Sequence, residues 1–329
     1  MKKMKMKNET VTTEFILLGF GDLQELRFLL FVVFLTIYIM TITGNLLMVI
    51  LVVTDHYLHT PMYFFLGNLS CLEICYSTTI LPRLLASFIT DNKHVPFNYC
   101  IIQLWSFCIF KTAECYLLAA MSYDRFLAVC KPLHYPTLMN TKVSFQLIAG
   151  SWICSSVVDM ILVIFILQLN FCGHNVIDHY FCDFIPIINL GCNDTYHVKL
   201  ILAVLASIST IPQLTLTITS YGYIIAAILR IPSVIGRKKA FSTCSSHLIV
   251  VTMFYGAIIT VYTMPDTDGL RKVKKIFAIF YTILTPLLNP LIYSLRNNEV
   301  KGALRRTASK CTICMKVHQT PFVKPHDGT

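Results

Sequence analysis

Seven apolar runs, each long enough to cross a bilayer, constrain this chain more than any other feature. They fall at about 27–54, 61–88, 98–129, 143–169, 197–229, 240–263 and 273–294. A helix rises about 1.5 Å per residue and the hydrocarbon core is about 30 Å thick, so roughly 20 apolar residues make one crossing. Lipid offers no partner to backbone N–H and C=O groups, so a run of this length must close its hydrogen bonds within itself as a helix. Composition agrees. Of the 329 residues, 55% are hydrophobic and 13% charged, against about 25% charged in a soluble domain. The expected fold is an all-α membrane protein: a bundle of seven helices over 27–295, an outer N-terminal tail over 1–26, and an inner segment over 296–329 that opens with a short amphipathic helix.

Seven crossings place the two termini on opposite sides. Lys131 and Lys142 follow the third span, Arg230, Arg237, Lys238 and Lys239 follow the fifth, and Arg296, Lys301, Arg305 and Arg306 follow the seventh. Basic residues near span ends mark the inner side. The N-terminal lysines and the group Arg271, Lys272, Lys274 and Lys275 run against that tally. The sequon at Asn8-Glu9-Thr10 supports an outer N-terminus, because glycosylation occurs on that side. The run MKKMKMK has the charge of a signal-peptide start, but NETVTTEF follows where an apolar stretch is needed, so the first span serves as the insertion signal. From Met6 the chain reads MKNETV, which sets Met6 beside Met1 as a candidate start. The net charge of +10 is spread over loops and ends with no nucleic-acid motif. It reads as charge for the membrane surface.

Polar residues inside spans point to the bundle interior, since a charge at the bilayer centre costs about 2.5–3.5 kcal/mol on the insertion scale. Asn45, Asn68, Glu73, Lys111, Glu114 and Asn289 are such residues. Asn68 heads a formal sequon but lies within a span, where it stays unmodified. The third span ends in MSYDRFLAVCKPLHYPTLMN, 121–140. From Cys100 to Arg125 is about 25 residues, roughly 37 Å of helix, which sets Cys100 at the outer face and the Asp124-Arg125 pair at the inner one. By itself that pair could be a plain anchoring cluster where a helix leaves lipid.

The whole string is more specific. Together with HTPMYFFLGNLSCLE at 59–73, KAFSTCSSH at 239–247 and Pro286-Leu287-Leu288-Asn289-Pro290-Leu291-Ile292-Tyr293, it resembles the olfactory receptors among the rhodopsin-like G-protein-coupled receptors. Their hallmark after the third helix is a MAYDRYVAICxPLHY-like run. This chain departs from it at Ser122, Phe126, Leu127 and Val129, and it has Glu73 where the family often has Asp. The resemblance covers about residues 10–306.

The resemblance implies a plasma-membrane receptor with its N-terminus outside. Its partners are then a small volatile odorant, a heterotrimeric G protein of the stimulatory olfactory type acting through cyclic AMP, and membrane lipid, with no nucleic acid and no cofactor. It implies that Arg125 is an inner latch, bonded to Asp124 at rest and meeting Tyr221 and Tyr293 on activation. Four of the thirteen cysteines lie on the oxidising side, Cys100, Cys172, Cys182 and Cys192. Spacing alone leaves three pairings open; the resemblance implies Cys100–Cys182 and Cys172–Cys192. A further sequon, Asn193-Asp194-Thr195, directly follows Cys192. Cys311 and Cys314 in the tail suit palmitoylation or free thiols better than a metal. His247 reads as a hydrogen-bonded interior residue, because no second His or Cys stands beside it at ligand spacing.

A ligand pocket is expected among the outer halves of the third, fifth, sixth and seventh spans. The candidate lining is Phe107, Cys108, Lys111, Thr112, Ser207, Thr210, Tyr255, Ile258 and Ile259, with Tyr262 and Tyr281 as lesser candidates. An amine receptor wants an Asp in the outer third span, and Trp105 to Thr112 holds none. Below the pocket, the resemblance implies a sodium ion near Glu73 and Glu114, with Asn45 and Asn289 beside it. Lys111 stands three residues from Glu114 on one helix face. It is expected to pair with Glu114, partly replacing the ion and offering an amine to acidic or aldehyde odorants. Two other classes fit less well. A transporter or channel could use Glu73, Glu114 and Lys111, but no inverted repeat or matched pair of broken helices is visible. An intramembrane enzyme lacks HExxH, GxSxG or facing catalytic aspartates.

Overall fold

The structure, a computed structural model, describes residues 13–21, 24–172, 175–192, 194–265, 267–297, 299–307 and 309. Asn8, the alternative starts, Asn193, Cys311 and Cys314 lie outside these residues. The seven spanning helices are α1 (Arg27–Thr54), α2 (Pro61–Thr90), α3 (Phe97–Cys130), α5 (Thr141–Leu167), α7 (Tyr196–Leu229), α8 (Val234–Thr263), and a last span formed by α9 (Asp268–Ile279) and α10 (Thr285–Arg296). Two short helices lie in loops, α4 (Tyr135–Leu138) at the end of the bundle that carries Arg125 and α6 (Phe184–Ile188) at the end that carries Cys100, called inner and outer after the expected orientation. A short helix, α11, follows over 299–307.

Helix ends follow local chemistry. Asn140 caps α5 by accepting from the Val143 N–H at 3.0 Å, and Pro61 opens α2, where a missing N–H costs nothing. Asp91 ends α2 in the left-handed region at φ 56°. Two helices begin earlier than their apolar runs. Ser233 accepts from the Gly236 N–H at 3.2 Å, so α8 opens at Val234 and not at 240. The last span opens at Asp268 and not at 273. Lys and Arg are good helix formers, so both helices continue into water past the apolar stretch that sequence reading detects.

Packing is tightest around α3, which lies against α2, α5 and α7. Gly44 and Gly67 let α1 come close to its neighbours. A Cβ on Gly44 would stand 3.2 Å from Pro290 Cγ, and one on Gly67 would stand 3.3 Å from Val52 Cγ1. In the last span, residues Phe280–Leu284 form a π turn. The Thr285 N–H there bonds the Phe280 carbonyl, and Pro286 has no N–H, so the Tyr281 carbonyl is left open. Tyr76 Oη donates to it at 3.4 Å. Pro290 likewise frees the Pro286 carbonyl, which accepts from Asn45 Nδ2 at 3.0 Å. Asn289, on the same helix, bonds neither freed carbonyl; its amide donates to Glu73.

The outer face carries a cap that the helical pattern did not announce. Strand β1 (Glu14–Leu17) lies between β2 (His94–Pro96), antiparallel, and β3 (Val176–Ile177), parallel. Disulfides Cys100–Cys182 and Cys172–Cys192 hold the long loop under this sheet. The first closes a loop with a sequence separation of 82. It contributes about 4.5 kcal/mol in the chain-entropy account. The Cys182 N–H also donates to Gln103 Oε1 at 3.0 Å, and Gln103 Nε2 donates to the Thr79 carbonyl at 2.9 Å. Lys275 Nζ clamps the cap to the last span, through Asp178 Oδ1 at 2.5 Å and the Gly19 carbonyl at 3.0 Å.

At the inner face α11 is tied to the first loop. Arg306 pairs with Asp55 at 2.7 Å and lies over the Tyr57 ring, 4.6 Å from its centroid. Tyr63 Oη donates to Glu299 Oε2 at 2.6 Å and accepts from Asn297 Nδ2 at 2.7 Å.

His179 makes the cap sensitive to acid. It is buried between Tyr180 and Phe181, and its Nδ1 has no partner. Burial pushes the imidazole down from 6.5 to about 4, with Lys275 adding to the shift and Asp183 and Asp178 opposing it. The unfolded chain therefore takes up the proton first. His179 contributes its full stability above pH 6.5 and loses it as pH falls towards 4. The melting temperature of the purified protein in nanodiscs should fall through that window, and His179→Leu should flatten the fall. An equally steep fall in the variant would assign the acid sensitivity to other groups.

Candidate functional site

A cavity of about 620 Å³ opens in the outer half of the bundle between α3, α5, α6, α7 and α8. Helix α3 supplies Cys108, Lys111, Thr112 and Cys115, and α8 supplies Ile258, Ile259, Tyr262 and Thr263. Helix α7 adds Ser207, Ser209 and Thr210, and α6 brings Phe184, Ile185 and Ile188 from the loop. An apolar wall with a few convergent polar groups is the usual character of a small-molecule site.

Eight candidates from the sequence line this space: Cys108, Lys111, Thr112, Ser207, Thr210, Ile258, Ile259 and Tyr262. Phe107, Tyr255 and Tyr281 do not. Phe107 turns to the other face of α3, with ring centroids 4.6 Å from Phe181, 5.5 Å from Tyr76 and 6.4 Å from Tyr281. Tyr255 lies deeper, its hydroxyl donating to the Cys115 carbonyl at 3.3 Å. Sequence spacing gave the right helices but not which side of each residue's turn faces the opening.

Lys111 does not pair with Glu114. Its ammonium donates to Tyr262 Oη at 2.8 Å and lies 4.5 Å from the Tyr262 ring centroid and 5.3 Å from that of Phe107. Tyr262 Oη in turn donates to Asp183 Oδ1 at 3.4 Å. Both Glu114 carboxylate oxygens are buried without a hydrogen-bond partner. Three residues along a helix bring two side chains to one face, but here the cation turns outward to aromatic faces that attract it.

The cavity also holds Asp159 of α5, which sequence reading missed. It is 2% exposed and its Oδ2 has no partner. The signal was present: an acid in the apolar run SSVVDMILV deserved the same attention as Glu73. The residues of α6 gave no such signal, because their place depends on the disulfide-held loop.

Below the cavity, buried oxygens from four helices gather. Glu73 Oε1 accepts from Asn289 Nδ2. Asn45 Nδ2 donates to the Thr41 and Pro286 carbonyls, each at 3.0 Å. Glu73 Oε2, both Glu114 oxygens, Asn45 Oδ1, Asn289 Oδ1 and Ser77 Oγ are buried and unpartnered.

At the inner end Asp124 accepts from Tyr135 Oη at 2.9 Å, and no ion pair joins it to Arg125. The expected Asp124–Arg125 bond is therefore replaced by one from α4, whose tyrosine hydroxyl reaches the carboxylate first. Arg125 Nε is buried and unpartnered. The guanidinium interacts electrostatically with Asp124 and Tyr135 on one side and with Tyr63, Tyr221, Cys244, His247 and Tyr293 on the other. Tyr221 Oη and His247 Nδ1 share a hydrogen bond of 2.6 Å, and Tyr293 Oη has no partner.

An outer cavity, a buried polar column and an arginine-centred inner end together describe a seven-helix membrane receptor. The comparisons narrow the class. The family model described as olfactory receptor matches residues 34–310. Olfactory receptor 6B1 of Homo sapiens is 47% identical over 305 residues, 93% of this chain and 97% of that protein. Olfactory receptor 8U3 of Mus musculus is 44% identical over 310 residues, 94% of this chain and 97% of that protein. Olfactory receptor 10C1 of Homo sapiens is 46% identical over 310 residues, 94% and 99% of the two chains. The chain belongs to the olfactory receptor family of G-protein-coupled receptors; it is a multi-pass membrane protein and not an enzyme.

Asn45 is the strut between α1 and the last span. Asn45→Ala leaves the Pro286 carbonyl buried and unpartnered, a loss of about 1–3 kcal/mol. The purified variant should melt several degrees below the wild type. An unchanged melting temperature would mean that this hydrogen bond holds nothing.

Proposed function

We propose that this chain is an odorant receptor of the plasma membrane, with its N-terminus outside, that binds a small volatile molecule in the 620 Å³ cavity. The observation that carries the reading is the position of that cavity. It touches α3, α5, α7 and α8 in their outer halves, and α3, α7 and α8 also supply Arg125, Tyr221 and His247 at the inner end. A ligand that fits better with one arrangement of these helices shifts their population by its differential affinity. The arrangement it favours opens the inner face to a heterotrimeric G protein, of the stimulatory olfactory type, and raises cyclic AMP. Arg125 is the inner contact of this scheme, with Tyr221 and Tyr293 as its partners once Tyr221 leaves His247.

Arg125→Ala should abolish or strongly reduce the cyclic-AMP response to an agonist found in a volatile screen, at equal surface expression, while the agonist still shifts the melting temperature. Full signalling by that variant would contradict the assignment.

The buried oxygens under the cavity fit a hard cation, which takes oxygen ligands. Glu73, Glu114, Asn45, Asn289 and Ser77 would hold a sodium ion, whose single charge would offset one of the two carboxylates when bound. Binding to the folded state alone raises stability. Replacing choline chloride with sodium chloride at equal ionic strength should raise the melting temperature of the wild type and not that of Glu114→Leu. Equal shifts in both would remove the ion from this site.

A further inference from the structure

The cavity contains two groups of opposite formal charge that do not touch. Lys111 enters from α3 and Asp159 from α5, and no ion pair joins them. Lys111 is half-buried and Asp159 is 2% exposed. The ammonium has three donors. One goes to Tyr262 Oη at 2.8 Å, and the others have no protein partner among the described residues. The carboxylate lies beside the Thr112 hydroxyl and within the field of Lys111, yet its Oδ2 is unpartnered. A buried polar atom without a partner costs about 1–3 kcal/mol, more when it is charged. This cavity therefore offers a donor and an acceptor that the protein does not satisfy itself.

The surroundings decide what completes them. Asp183 stands behind Tyr262, and its Oδ1 accepts from that hydroxyl and from the Phe184 N–H at 2.8 Å. It does not line the cavity. Lys199 lies at the exposed outer rim on α7. An anionic ligand at Lys111 would bring a second negative charge up to Asp159. A cationic ligand at Asp159 would bring a second positive charge up to Lys111. Like charges in a low-dielectric space repel strongly. A neutral molecule with a carbonyl acceptor for Lys111 and a hydroxyl donor for Asp159 satisfies both groups and adds no charge.

We propose that Lys111 and Asp159 form a bipolar subsite that selects neutral hydroxy-carbonyl ligands over carboxylates and amines. The subsite rests on the reading of this cavity as the ligand site. It keeps aldehydes from the expectation of acidic or aldehyde ligands and departs from the acidic ones, because Asp159 faces the same space as Lys111. Asp159 is then a specificity-determining residue on a helix that the candidate set did not include.

The test measures binding apart from signalling. The purified receptor in nanodiscs is titrated by melting-temperature shift with para-hydroxybenzaldehyde, para-hydroxyphenyl butanone, benzaldehyde, phenol, benzoate and benzylamine. The two hydroxy-carbonyls should bind at least tenfold more tightly than benzaldehyde or phenol, and benzoate and benzylamine most weakly. Asp159→Asn should lower hydroxy-carbonyl affinity at least tenfold and raise that for benzoate. Lys111→Met should lower hydroxy-carbonyl affinity similarly and raise that for benzylamine. Ser156→Ala, on α5 outside the cavity wall, where the hydroxyl only donates to the Trp152 carbonyl at 2.8 Å, should keep the affinities and the order of the six probes. Preference of the wild type for benzoate or benzylamine would overturn the subsite, as would equal losses for all probes in both charge variants, or no binding by either hydroxy-carbonyl. G-protein activation is measured in parallel. Hydroxy-carbonyl binding without activation by any volatile would contradict the receptor reading and leave the subsite standing; activation by other volatiles with no hydroxy-carbonyl binding would do the reverse.

Discussion

The bilayer supplies no hydrogen-bond partner, and most of this structure follows from that. Every polar side chain within a span must find its partner inside the bundle or remain unpartnered there. Asn45 fills the carbonyl freed by Pro290, and Tyr76 fills the one freed by the π turn before Pro286. Glu73 takes the Asn289 amide. These bonds draw α1, α2 and the last span together, with Gly44 letting α1 approach Pro290. The oxygens left over, on Glu73, Glu114, Asn45 and Asn289, lie in the same interior region.

Helix α3 passes through all levels of the molecule. Cys100 ties its outer end to the loop, Lys111 and Thr112 reach the cavity, Glu114 joins the buried oxygens, and Asp124 meets Tyr135 at the inner face. The outer cap has a positional effect as well as a stabilising one. By holding the loop at Cys182, it sets α6 against the cavity, so that Phe184, Ile185 and Ile188 close one side of it. A change at the cavity wall is thus a change on the same helix that carries Arg125.

The spans were legible because lipid imposes a length and a composition, and α1, α2, α3, α5 and α7 match their apolar runs closely. The early starts of α8 and the last span were not, because a helix that continues into water through Lys and Arg leaves no apolar trace. The sheet of the cap was hidden for another reason. Strand β1 has four residues, too few for a pattern, and its partners lie on distant loops. Side-chain partners across helices are the least legible feature of the chain. Lys111 was matched with Glu114 from helical spacing, yet its ammonium goes to Tyr262, 151 residues away. The family resemblance implies a bond from Arg125 to Asp124, yet the carboxylate accepts from Tyr135. Spacing along one helix says which residues share a face; it does not say what the facing helix offers.

The central claim is that a molecule bound in the outer cavity changes the packing of α3 against α8 at the inner face. The most direct measurement places spin labels, as noncanonical amino acids, at Lys131 and Lys238, near the inner ends of these two helices. Distances are then read by double electron–electron resonance with and without a volatile agonist, in the presence of G protein. The account predicts a longer distance when agonist and G protein are both present. An unchanged distance distribution, under conditions where the melting-temperature shift shows the cavity occupied, would contradict it.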